Sequence, residues 1–145
     1  MGRIKSVSQP FSFIVTFKLL ELIKDSDFVL DFHEGWGFHR LNPDSLGSGI
    51  YPGDTHNAIS LSYRIADSLN TQINIPHKKF VVLLNSHPEL ESLRSYCNYI
   101  RRDYILVETT GQNDIQPIEI RSNQMIYIIN GVNGAQIILI ARIKL

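Results

Sequence analysis

The stretch Asp27-Phe28-Val29-Leu30-Asp31-Phe32-His33-Glu34-Gly35-Trp36-Gly37-Phe38-His39-Arg40 decides how this chain is read. Phe28, Val29 and Leu30 form a short continuous apolar run, the pattern of a strand covered on both faces. Gly35 and Gly37 free the backbone just beyond it, so the run passes into a loop. In an open α/β sheet the carboxyl end of a strand is where ligands bind, and Asp31, His33 and Glu34 stand at such an end. A neutral imidazole suits Zn2+, and a nearby carboxylate commonly orients a metal-bound histidine. The plain alternative is a histidine that only caps a strand through hydrogen bonds; the motif alone leaves the two evenly weighted.

Upstream, residues 12–24 read as a helix with Val15, Leu19, Leu22 and Ile23 on one side, ended by Asp25-Ser26. Downstream, residues 41–54 are rich in turn signals: Asn42-Pro43-Asp44, Gly47-Ser48-Gly49 and Pro52-Gly53-Asp54. A loop of that length is usually functional, and this one is expected to wall the cleft that follows His39 and Arg40. Asp54 or Thr55 then caps a second helix to about residue 69, with Ala58, Leu61, Ile65 and Leu69 at helical spacing, backed by Ile59 and Ala66. Residues 80–84, FVVLL, predict a second buried strand. Pro88 suits the first turn of a third helix, Leu90, Leu93, Cys97 and Ile100 form its inward stripe, and Arg101 and Arg102 suit its negative end. Residues 104–107 predict a third strand, which delivers Glu108 to its carboxyl end. Helices alternating with strands predict an α/β fold with a mostly parallel sheet flanked by helices. Residues 117–130 fit a helix stopped by Gly131; residues 125–130 and 135–140 equally fit two strands joined across Gly131-Val132-Asn133-Gly134, and the pattern leaves both open.

At 145 residues the chain has room for one domain with a real core. Its 43% hydrophobic and 19% charged content is that of a globular protein. Lys+Arg and Asp+Glu are both 14, a balance that argues against nucleic acid or an anionic membrane as partner. A single cysteine, Cys97, excludes an internal disulfide and a cysteine-based zinc knuckle, and its helical position predicts a packed thiol. Residues 11–22 are apolar but broken by Lys18 and Glu21, too short and too charged to span a bilayer, and no small-residue cleavage site follows. The expectation is a cytoplasmic protein.

Two strand ends carry an imidazole and carboxylates: Asp31, His33 and Glu34 on one, Glu108 on another. If those strands are neighbours, His33 and Glu108 face one crevice. That suits a metal-assisted hydrolase in which a carboxylate takes a proton from a metal-bound water. The plain alternative for Glu108 is a solvated strand-end carboxylate. The run VLDFHEGWGFHRLNPDSLGSGIYP, followed by ILVETTGQNDIQPIEIR, resembles the zinc carboxypeptidase superfamily, and above all its deacylase branch, the succinylglutamate desuccinylase and aspartoacylase group. The resemblance spans roughly residues 12–130. It implies a phosphorylase/hydrolase-like, parallel-rich sheet, with His33, preceded by Asp31, as a Zn2+ ligand. It implies Glu108, in LVETTGQ, as general base and proton shuttle, and it favours the helix for residues 117–130. The last residues, 132–145, have no family counterpart. The substrate implied is a small molecule or peptide with a carboxylate, which His39 and Arg40 are candidates to bind.

The family takes two further zinc ligands from an H-x-x-E motif upstream of the strand histidine. Here the residues three after each histidine are Trp36, Asn42, Ile59, Phe80 and Leu90, and only 32 residues precede His33. The family's arginine and asparagine-arginine substrate clamp belongs to the same absent part, and Arg3 stands too near the start to serve. The expectation is one partial domain over residues 1–145, N-terminally incomplete through a truncated or split gene, with a missing N-terminal segment or partner chain. One histidine, even helped by Glu34 or His39, should hold zinc weakly. A missing half-sheet should expose a strand edge and apolar helix faces. Three readings follow. The first is a zinc-dependent amide hydrolase of metallocarboxypeptidase or N-acyl-amino-acid deacylase type. The second is an inactive remnant or binding module of the same fold, and the third a complete small α/β enzyme using His33, Glu34 and His39. Packing is expected for Trp36 and surface or capping roles for His56, His77 and His87; Arg121 could face the cleft, but a solvated helix face is the expectation.

Overall fold

A computed structural model describes residues 10–84, 92–132 and 137–142. Among these residues alternating patterning builds four α-helices and five strands: α1 (Pro10–Asp25), β1 (Phe28–Gly35), β2 (Gly49–Pro52), α2 (His56–Thr71), β3 (Val81–Val82), α3 (Leu93–Tyr99), β4 (Asp103–Thr110), α4 (Ile118–Gly131) and β5 (Ile137–Arg142). The strands make one sheet in the order β3-β2-β4-β1-β5. β1 lies between β4 and β5 and is parallel to both, while β2 runs antiparallel to β4 and carries β3 parallel to itself. The fold is α/β with a mostly parallel sheet flanked by helices.

Period-two alternation sends the two sides of each strand to different helices. Phe28, Leu30 and Phe32 of β1, Ile50 of β2, and Ile105 and Val107 of β4 pack under Ala58, Leu61, Ile65 and Leu69 of α2 and Met125 and Ile128 of α4. Each fully buried aliphatic or aromatic side chain here contributes about 1.5–3 kcal/mol relative to exposure. On the other face Val29 and Tyr104 meet Ile23 of α1 and Cys97 of α3. That second cluster is smaller, and along β1 it gives way to Asp31 and His33.

Several expectations are corrected. His33 and Glu34 lie within β1, not in a loop, because the strand continues to Gly35 in register with β4. The turn-rich segment contains a strand: Gly49 and Ile50 sit opposite Glu108 and Val107. The FVVLL run yields only a two-residue, half-buried strand that runs against β1 and β4, because it pairs with β2 alone at the edge of the sheet. On α1, Leu19 and Ile23 pack inward as expected, but Leu22 is exposed and Leu20 packs in its place. Helix and strand share the C-terminal part: α4 occupies the segment that also fitted a hairpin, and the family-less tail supplies β5. Of the two expected caps of α2 it is Thr55 that serves, accepting from the Ala58 amide. α3 starts at Leu93, where an extended Ser92 caps it by accepting from the Ser95 amide, and so begins later than the expected Pro88; Pro88 and Leu90 themselves lie outside the described residues. No helix among the described residues is long and apolar enough to cross a membrane.

Candidate functional site

Because β1 and β4 are parallel neighbours, odd-numbered β1 residues share a face with even-numbered β4 residues. His33 and Glu108 are direct register partners. Asp31 projects to the same side two residues earlier, and Tyr104 four residues before Glu108 reaches it from β4. The result is a continuous polar line in which His33 Nδ1 lies 3.6 Å from Glu108 Oε1 and Nε2 lies 3.1 Å from Asp31 Oδ1. The Tyr104 hydroxyl donates to Asp31 Oδ2 at 2.9 Å. Asp31, Tyr104 and Glu108 are buried, while His33 keeps 28% of its side-chain surface and is the group that meets solvent.

The Asp31–His33 separation is that of an ion pair; the ring nitrogen and the oxygen are not aligned as a directed hydrogen bond. Contact with Asp31 first and Glu108 second raises the His33 pKa to about 9, against the opposing effect of burial. The contact with Asp31 and Glu108 thus favours the protonated form of the metal-free ring. Burial, reinforced by the Asp31 charge, pushes the Tyr104 hydroxyl far above its ordinary value, so it serves as a donor and not as an acid. Burial also pushes the Cys97 thiol up to about 12, the packed and inert cysteine that its spacing predicts.

Glu34, which a sequence reading adds to the His33 cluster, points to the opposite face and pairs with Arg121 of α4. Arg121 is thus buried, not on a solvated helix face, because a charge at that position faces the end of β1. The loop after β1 folds back on itself: Gly37 takes φ 62°, and a side-chain carbon at Gly47 would collide with the Gly37 carbonyl. His39 sits in this loop with Nδ1 2.8 Å from the Ser45 carbonyl, and Arg40 is exposed. No hydrogen bond or ion pair among the described residues joins either to His33 or Glu108. His56 is exposed at the start of α2, and His77 packs edge-on against Phe38 with ring centroids 5.5 Å apart; His87 lies outside the described residues. Trp36 is 41% exposed.

The donor set can be tested against Zn2+. A catalytic zinc takes three protein ligands and leaves a position for water. A zinc-bound imidazole gives one nitrogen to the metal and the other to a carboxylate, whereas here Nε2 faces Asp31 and Nδ1 faces Glu108. The two carboxylates lie on different nitrogens of one ring and do not converge on a common point. Among the described residues no group of three His, Cys, Asp or Glu is placed to hold a metal ion. The described residues therefore do not make up a zinc centre.

Tyr104 is the site residue that sequence reasoning missed. The even spacing of Tyr104 and Glu108 on one strand was visible, but what they face depends on which strand lies beside β4. No family model, curated protein or solved structure matches the chain.

Proposed function

We propose that the chain carries the proton-transfer part of a hydrolase of amide bonds, of the zinc-dependent metallocarboxypeptidase or N-acyl-amino-acid deacylase type. Glu108 is the base toward the attacking water and the donor to the leaving amine, and His33 is the imidazole beside it, oriented by Asp31. The observation that carries the reading is the in-register pairing of His33 with Glu108 at the carboxyl ends of two parallel strands. The sequence likeness of the two motifs to the deacylase branch supports the same assignment. A buried carboxylate next to a partly open imidazole is suited to accept a proton from water and return it to a nitrogen. Zinc is not completed by the described donors, so the reading requires its other ligands from outside them.

A second reading, an inactive binding module of this fold, is favoured by that incomplete donor set. Zinc titration and hydrolysis of N-acyl amino acids and of peptide C-termini by the whole chain separate the two. The hydrolase reading expects zinc affinity to fall in His33→Ala, and turnover to fall about 100-fold or more in Glu108→Gln. Hydrolysis that is absent, or indifferent to both substitutions, leaves the binding module.

A further inference from the structure

The loop that follows β1 closes over a second feature. A cavity of about 540 Å³ opens between this loop, Tyr63 of α2 and the β3 edge, lined by His39, Leu46, Tyr51, Tyr63 and Val82 among others. Tyr51 joins it to the candidate site. It lies on the Glu108 face of β2, its ring packs where a side chain on Gly49 would stand, and Gly49 is the register partner of Glu108. The Glu108 charge adds to burial in raising the Tyr51 hydroxyl well above its ordinary value.

The polar groups of this wall are mostly committed. His39 Nδ1 faces the Ser45 carbonyl at 2.8 Å, the Ser45 hydroxyl donates to the Trp36 carbonyl, and the Tyr51 hydroxyl donates to the Leu46 carbonyl at 3.2 Å. His39 Nε2 and the Tyr63 hydroxyl remain without a partner among the described residues. Among the described residues no Lys, Arg, Asp or Glu lines the cavity, and Arg40, one of the two expected carboxylate partners, is not part of it. A carboxylate placed here would lose water with His39 as the single ionisable nitrogen among the described lining residues, whereas an aryl or branched alkyl group would bury apolar surface against Leu46, Val82 and two tyrosine rings.

We infer that this cavity is the specificity pocket of the candidate site and takes an uncharged apolar group, such as an aryl ring, from the substrate. Its role beside Glu108 rests on the hydrolase reading; its ligand class rests on the cavity itself. The test is binding of N-benzoylglycinamide and N-succinylglycinamide to the whole isotope-labelled chain, followed by amide chemical shifts without turnover. The benzoyl compound should bind at least tenfold tighter, with shifts around Leu46 and Val82, and Val82→Trp should weaken it at least tenfold by filling the space. Tyr63→Ala, at an exposed helix position, should weaken it severalfold and stands in where Val82→Trp fails to fold. Equal or tighter binding of the succinyl compound, no binding of either, or a benzoyl affinity that the folded variants leave unchanged would overturn the pocket. Because no step of this measurement requires hydrolysis, its outcome is independent of whether the chain cleaves amides.

Discussion

At the scale of single residues, the imidazole of His33 is governed by its two carboxylate neighbours. An ordinary histidine titrates near 6.5, and folding raises His33 to about 9. The folded chain therefore holds this proton more tightly than the unfolded chain does. The resulting stabilisation is complete below about 6.5 and is lost as the pH rises from there through about 9. The thermal midpoint of the metal-free protein should decline over that window, with a shallower slope in Glu108→Gln; a midpoint that stays level would contradict the ion-pair geometry. Tyr104→Phe removes the donor to a buried oxygen of Asp31 and should cost about 1–3 kcal/mol in chemical denaturation. A loss under about 0.5 kcal/mol would mean that Asp31 finds another partner. The alternation of Asp31 and His33 is legible in the chain, since side chains two apart on a strand share a face. The Tyr104 contact is not, because it exists only when β4 lies beside β1.

At the scale of elements, α4 is anchored to the end of β1 by the buried Arg121–Glu34 pair, and the Gln112 side chain donates to the Glu34 carbonyl at 2.7 Å. Removing one partner strands a buried charge, so Arg121→Ala should lower unfolding stability by about 3–5 kcal/mol. Replacing both, as Arg121→Met with Glu34→Leu, should restore most of that loss, and denaturant midpoints of the three proteins decide it. If the double variant is no better than the single, the pair is not the source of the cost. α2 is legible in outline because its apolar residues recur at helical spacing over 16 residues. β2 is not: four residues bounded by Gly49 and Pro52 have the composition of a turn, and only pairing with β4 makes them a strand.

At the scale of the whole molecule, β5 forms one edge of the sheet, and its Leu139 is 48% exposed. An apolar edge strand is a template for pairing with another chain, which a lysine discourages. Leu139→Lys should raise the concentration at which the protein stays monodisperse by light scattering, with unfolding stability changed by less than about 0.5 kcal/mol. Unchanged self-association would place the sticky surface elsewhere. What the sequence by itself determined is local: apolar runs for the hearts of β1 and β4, helical spacing for α2, a packed cysteine on α3, and the two chemical motifs at strand ends. These follow from periodicities that each segment carries alone. What only the tertiary structure decided is adjacency: that His33 sits opposite Glu108, that Glu34 turns away to Arg121, and that the last strand lies beside the first. The physical reason is that partners far apart in the chain meet through competition among strands for places in one sheet. No single segment holds the outcome of that competition.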